Sequence, residues 1–193
     1  MGDQVELSDS LLLDGLRQGD AEAFSALFVR YHSSVYRVLL RLLGRPDDAE
    51  DLTQETFVKL YHHPLANGRE HNVKAWLYRV ALNLGYNTLR AERRRGERQE
   101  KAALVESANE SGVDPAGVAL RSEERQLVRR VLSEMSDNYQ ACLVLRHDGL
   151  SYAHIADVLG IAPNAVGTVL VRAEKQFKAR YLQQLDGPGR DGR

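Results

Sequence analysis

Three groups of side chains in this sequence are spaced so that they could do chemistry together. Asp48, Asp51 and Glu55 recur at i, i+3 and i+7 with Gln54 beside them, so on a helix they share one face. Clustered carboxylates can chelate a divalent ion, act as acid and base, or present an acidic surface to a partner. No histidine stands at helical spacing among them, and consecutive turns of one helix do not surround an ion. The docking surface is therefore the better reading. Further along, Arg79, Asn83, Tyr86, Asn87, Arg90 and Arg94 also fall on one helix face. Arginines neutralise phosphates, amides meet base edges and an aromatic ring stacks on a base, which is what single-stranded nucleic acid requires. The third group is the stretch YAHIADVLGIAPNAVGTVLV, residues 152–171. Ile155, Ala156 and Leu159 form the inner face of a short helix, Gly160 supplies a positive-φ turn and Ile161 plugs the corner. Val166, Val169 and Leu170 then line a second helix in the helix-turn-helix manner. Pro163 suits the first turn of that second helix, where its missing N–H would have no partner anyway. The outward residues Asn164, Thr168, Val171, Arg172 and Lys175 are free to enter a major groove. This face has few of the side chains that read bases in bidentate fashion, so Arg172, Lys175 and Lys178 would set position through phosphates.

These groups need helices to position them. Phe24, Leu27, Phe28, Tyr31, Val35, Val38, Leu39 and Leu42 repeat at i, i+3, i+4 and i+7 after an Asp20 cap and before Gly44 and Pro46, predicting one long amphipathic helix. A second helix is expected from near Asp47, with Ala49, Leu52, Phe57 and Leu60 inward, ending before Pro64. The loop from His62 to Asn72 is polar and could shape the kind of pocket that a flipped base requires. A third helix is expected from about Val73 to Arg95, burying Val73, Trp76, Leu77, Val80 and Leu84 opposite the polar stripe. Residues 96–122 are poor in bulky apolar side chains and read as a linker. Helical periodicity then resumes and reaches Leu185, and the tail DGPGRDGR is turn-forming and expected to be disordered. The fold class is all-α: two small helical domains, residues 20–95 and 123–185, joined by a flexible linker. An acidic segment, residues 1–19, precedes them with no assigned role, and residues 186–193 follow.

The chain has 193 residues, 26 Lys+Arg and 27 Asp+Glu, with a formal net charge of -1. Near neutrality argues against nucleic acid until the charge is mapped. Asp3, Glu6, Asp9, Asp14, Asp20 and Glu22 face a single Arg17 in residues 1–27, and Asp47, Asp48, Glu50, Asp51 and Glu55 form a block without any base. Lys74, Arg79, Arg90, Arg93, Arg94 and Arg95 reverse the sign, as do Arg172, Lys175, Lys178 and Arg180. The neutral total is a sum of opposite patches. A lone Cys142, set in the apolar run 141–145, excludes an intramolecular disulfide and a cysteine-built zinc cage and reads as a core residue. No apolar run reaches the roughly 18 to 20 residues of a membrane span, and the N-terminus lacks a secretory pattern. The expected compartment is the cytoplasm, without membrane insertion. No catalytic residue, metal or cofactor is expected, since His62, His63 and His71 lack the spacing of a helical zinc site.

Four segments occur in order: AFSALFVRYHSSVYRVLLRLLG, DAEDLTQETFVKLY, VKAWLYRVALNLGYNTLRAERRR and GLSYAHIADVLGIAPNAVGTVLVRAEKQF. Together they resemble a bacterial sigma factor of the sigma-70 class, extracytoplasmic-function branch. The resemblance implies a region 2 helical bundle over about residues 20–95 and a region 4 helix-turn-helix domain over about 123–182. It implies that Asp48, Glu50, Asp51, Leu52, Gln54, Glu55 and Phe57 dock the clamp coiled coil of the polymerase beta-prime subunit. Residues 62–72 with Trp76, Arg79, Asn83 and Asn87 would capture the minus-ten promoter element as melted non-template strand, and the basic stripe adds Lys74, Tyr86, Arg90 and Arg94 to that surface. The helix after Ala162 would read the minus-thirty-five element as duplex while its domain rests on the beta flap. The linker would thread near the active-site cleft and the RNA exit path. An anti-sigma factor is a further implied partner. Two positions depart from the family pattern. Leu82 stands where an arginine is frequent, and the string Gly167-Thr168-Val169 is displaced by three residues, so the resemblance assigns no base-reading role within that helix. The competing reading is an autonomous helix-turn-helix transcriptional regulator, which would need a dimer seam or a ligand pocket in its N-terminal half. A metal-dependent enzyme built on the carboxylates of residues 47–55 is the weaker rival.

Overall fold

The computed structural model describes residues 7–65, 72–103 and 116–185. Among these, eight helices and no strand occur: α1 (Asp9–Arg17), α2 (Ala21–Leu43), α3 (Pro46–His62), α4 (Val73–Ala103), α5 (Ala116–Ser133), α6 (Asp137–His147), α7 (Tyr152–Leu159) and α8 (Pro163–Leu185). The expected all-α class is what the chain adopts. The expected tail and loop positions 66–71 lie outside the described residues, and so does the segment 104–115. The helix expected to stop near Arg95 continues to Ala103, and α5 begins inside the stretch expected to be linker.

Local chemistry sets the helix ends. The Asp20 carboxylate accepts the Glu22 N–H at 2.8 Å and opens α2. Gly44, at φ 74°, closes it with its N–H on the Leu40 carbonyl at 2.8 Å. Helix α3 starts with Pro46 in its first turn. Its inner face holds Ala49, Phe57 and Leu60 as the pattern predicts, and it also buries Thr53 and Thr56. Those hydroxyls are satisfied within the helix, donating to the Ala49 and Leu52 carbonyls at 2.6 and 2.7 Å, so they pack as apolar residues would. The N-terminal acidic segment has a structural part the sequence reading missed. Helix α1 buries Leu12, Leu13 and Leu16 against α2. Its Asp9 accepts from Arg30 and from the Tyr31 hydroxyl, while Arg17 reaches the Leu65 carbonyl at 2.9 Å. Burial and the neighbouring Asp9 push the Tyr31 phenol above its ordinary range.

Helix α4 belongs to two cores. Val73, Leu77 and Ala81 face α1–α3. Ala75, Tyr78, Leu82 and Tyr86 face the other way, joining Val38 and Leu42 of α2 to Ala141, Cys142 and Leu145 of α6, to Ile155, Ala156 and Val158 of α7, and to Val166 and Leu170 of α8. The two bundles, α1–α4 and α5–α8, therefore share one continuous apolar layer. Cys142 lies in that layer, where burial, with a smaller contribution from the Glu174 charge, pushes its thiol from 9.0 to about 11. It is a core residue, as expected. No single described helix is long and apolar enough to cross a membrane.

Helix α2 approaches α4 closely at Gly85, where a Cβ would sit 2.6 Å from one Leu42 methyl and 3.3 Å from one of Leu39. Both leucines are buried and have little room to yield. Gly85→Val is expected to lower stability by about 1–3 kcal/mol through overpacking, read as a lower urea midpoint with the helical spectrum retained.

Candidate nucleic-acid and docking surfaces

On α3, Asp51, Gln54 and Glu55 are exposed, while Asp48, Glu50 and Leu52 are half-buried. Arg45 bonds Asp48 and also donates to Glu92 of α4 at 3.1 Å, tying the start of α3 to that helix. Those carboxylates hold the Arg45 guanidinium above its ordinary value. Glu50 meets His32 Nε2 at 3.3 Å and accepts from Gln54 at 3.2 Å, and Glu55 pairs with Lys59 at 3.2 Å. Exposed pairs of this kind contribute about 0–1 kcal/mol each, so the acidic face can exchange them for a partner's cations at small cost. Among the described residues no group of three or more His, Cys, Asp or Glu side chains is placed to hold a metal ion. Phe57 does not belong to this face, which corrects the expectation that it docks a partner directly. It is 1% exposed, with its ring centroid 4.8 Å from Phe28, 6.5 Å from Phe24 and 6.3 Å from His32. Its part is to anchor α3 so that the neighbouring carboxylates point outward.

The stripe on α4 is divided. Asn83, Asn87, Arg90 and Arg94 are exposed, Lys74, Trp76 and Arg79 are half-buried, and Tyr86 is buried. Tyr86 was expected to stack on bases. Here its ring fills the layer between the bundles and its hydroxyl donates to the Asp137 carbonyl at 2.9 Å, at the start of α6. Burial, with the nearby Asp137, pushes its phenol far above the ordinary range. Tyr78 and Leu82 are buried on the same side, and Tyr78 is pushed to about 12 chiefly by burial. Val80 and Leu84, expected inside, are only half-buried.

Arg79 donates to the Asp157 and Val158 carbonyls at 2.7 and 3.2 Å. These lie in the last turn of α7, where carbonyls have no partner within the helix and the dipole end is negative. Arg90 reaches the Asp137 carboxylate at 3.2 Å and the Asn87 side-chain oxygen at 3.1 Å. Asn72 accepts the Ala75 N–H at 3.0 Å, capping α4, and donates to Asp157 at 3.0 Å. The loop expected to form a base pocket beside Asn72 falls mostly outside the described residues.

The helix-turn-helix takes its expected form. Gly160 sits at φ 66° and ψ 33°, the Ile161 N–H returns to the Ala156 carbonyl at 3.1 Å, and α7 and α8 meet at 90°. Ile155, Ala156, Val166 and Leu170 are buried as predicted, Leu159, Ile161 and Val169 pack against the same cluster half-buried, and Val158 is buried in addition. Asn164, Thr168, Val171, Arg172 and Lys175 are all exposed.

Residues 27–95 match Sigma-70 region 2 and residues 125–177 match Sigma-70, region 4. The ECF RNA polymerase sigma-E factor of Escherichia coli strain K12 is 32% identical over 182 residues, covering 91% of this chain and 92% of that one. The chain belongs to the extracytoplasmic-function branch of the sigma-70 family. The sigma-E factor of Haemophilus influenzae is likewise 32% identical over 186 residues, covering 92% of this sigma factor and 94% of its own length. Among solved structures, CnrH in complex with the cytosolic domain of CnrY shares the fold at a TM-score of 0.61 and 21% identity, over 93% of this chain and 99% of that one. RpoE in complex with the anti-sigma factor NepR from Bartonella quintana shares it at 0.53 and 20%, over 84% and 99%. The α1–α4 bundle thus contains region 2, the α5–α8 bundle contains region 4, and the protein is a transcription initiation factor.

Phe57→Ala is expected to destabilise this sigma factor by about 3–5 kcal/mol through the cavity it leaves. A thermal melt should show the loss whether or not polymerase is present, as an internal anchor requires.

Proposed function

We propose that this sigma factor docks core RNA polymerase through the acidic face of α3 and reads a promoter with two separate surfaces. Asp48, Glu50, Asp51, Gln54 and Glu55 meet the beta-prime clamp coiled coil, with Leu52 at the edge of the contact. Asn83, Asn87, Arg90 and Arg94, with Lys74, Trp76 and Arg79 at the margin, take the minus-ten element as non-template single strand. Asn164, Thr168, Val171, Arg172 and Lys175 enter the major groove of the minus-thirty-five duplex, and the region 4 bundle rests on the beta flap. The observation that most supports this is the coexistence, in one sigma chain, of an exposed acidic face free of metal geometry and two basic or amide-bearing faces suited to different forms of DNA.

The mechanism is assembly, and no step in it makes or breaks a covalent bond. Phosphate contacts from Arg172 and Lys175 position the recognition helix, and exposed Val171 suits a thymine methyl. Neither DNA surface is rich in bidentate base readers, so each binds weakly alone. Polymerase holds both along one promoter, and joining them raises the effective concentration of the second for its element. Stacking and hydrogen bonds to unpaired bases then offset the cost of opening a few base pairs. The acidic face would otherwise be constantly available, and one protein of this fold is seen bound to an anti-sigma factor, so a protein of that class is the expected antagonist. The work is done with polymerase, in the cytoplasm.

Two outcomes test the reading. Asp51→Arg combined with Glu55→Arg should abolish holoenzyme assembly in a pull-down with core polymerase while helicity is unchanged, and normal assembly would overturn the docking role. In gel shifts the free protein should bind duplex promoter poorly and gain specificity only with core polymerase. Tight, sequence-specific duplex binding by the protein alone would favour an autonomous regulator.

A further inference from the structure

Helix α8 carries no charged side chain from Pro163 to Val171, the N-terminal part that a helix-turn-helix presents to base edges. Two residues there work against the helix itself. Glycine is among the least helix-favouring residues, and a β-branched valine loses side-chain freedom in a helix. Packing asks for neither of them. Beyond its own helix backbone and chain neighbours, a Cβ at Gly167 would meet one described atom within 4 Å, Tyr152 Cε2 at 3.6 Å, which is an ordinary contact. Val171 is 65% exposed.

What the pair provides is shape. Positions 164, 167, 168 and 171 are neighbours at three- and four-residue spacing, so on α8 they form one patch. Lacking a side chain, Gly167 leaves a depression bordered by Asn164, Thr168 and Val171, all exposed. The Tyr152 ring of α7 borders it on the remaining side. Arg146 of α6 steadies that ring, its guanidinium 5.5 Å from the ring centroid while it donates to the Leu150 carbonyl at 3.3 Å. Arg172 and Lys175 stand exposed just beyond, where phosphates are neutralised. An uncharged depression does not suit guanine, whose O6 and N7 call for arginine or lysine donors. It suits the apolar group that the major groove offers, the C5 methyl of thymine.

We propose that Gly167, Thr168 and Val171, walled by Tyr152, form a notch for a thymine methyl, so that this sigma factor selects its minus-thirty-five element through thymine rather than guanine. This rests on the placing of α8 in duplex DNA under Proposed function and adds the base that it selects. Asn164, one turn earlier, carries the amide that pairs with adenine N6 and N7, which extends the A·T preference toward the start of the helix. The missing Cβ at position 167 also lets the helix backbone lie closer to the base edges.

Run-off transcription by holoenzyme over promoters randomised in the minus-thirty-five region yields the selected sequence. Each thymine in it is then replaced by deoxyuridine, which removes the methyl and nothing else. One such replacement should weaken holoenzyme binding about three- to fivefold, the effect of one buried methyl. Val171→Ala should bind the thymine and deoxyuridine promoters about equally, whereas damage to the fold would weaken both and keep their ratio. Gly167→Ala separates shape from stability: the added Cβ should hold or raise the melting temperature, yet fill the notch and reduce the preference for thymine. A selected element without thymine, or deoxyuridine tolerated at every position, would overturn the notch. So would a thymine preference undiminished in both variants. If no sequence is selected in that region, the reading of region 4 has failed and the notch falls with it, whereas a selected sequence with no methyl effect counts against the notch alone.

Discussion

Helix α4 must be covered on two opposite flanks, and the arrangement of the molecule follows from how that covering is divided. Val73, Leu77 and Ala81 are buried against α1–α3 on one flank, and Gly85 lets α2 approach so closely that an added side chain would have to displace Leu42. Large apolar residues buried this way contribute about 1.5–3 kcal/mol each. The other flank mixes Tyr78, Leu82 and Tyr86 with Arg79, Arg90 and Arg93. A wholly apolar flank would be too costly to expose to water, and a wholly polar one would give α6 and α7 little reason to settle there.

The charge distribution has the same logic. Most carboxylates of α3 are spent on short-range exposed pairs with side chains of their own helix or its neighbours, which contribute little and can be exchanged. Asp148, at the end of α6, is the contrary case: its side chain is 3% exposed and is satisfied by Arg37 and Arg41 of α2 and the Tyr78 hydroxyl of α4, all far earlier in the chain. An overall charge near zero thus hides two classes of acid, one outward and negotiable, the other inward and dependent on its partners.

Much of this was legible in the sequence because it was local. The 3.6-residue period, the Asp20 cap, the Gly44 and Gly160 turns and the inner face of the helix-turn-helix depend on residues within a few positions of one another. Tyr86 shows where that legibility ends. Its place on a polar stripe was readable, but the identical ring can stack on a base or fill a core, and only the distant α6 decides. Leu12, Leu13 and Leu16 stand among acids that dominate the composition of residues 1–27, so a core helix reads there as a charged lead-in. Phe57 fitted both an inner face and a docking motif, and the rings of α2 settle it as an anchor. Asp148, beside Gly149, looks like an ordinary turn residue, since nothing nearby in the chain announces Arg37 or Arg41.

Trp76 carries a consequence of a different kind. It is the sole tryptophan and packs against the α1–α4 core. Tryptophan emission, excited where tyrosine does not absorb, is therefore a signal from one half of the molecule. Circular dichroism, by contrast, sums over every helix in both halves. Unfolding curves followed by the two methods coincide only if the bundles unfold as one cooperative unit. The gap between them is a direct optical measure of how strongly the shared apolar layer couples the two halves.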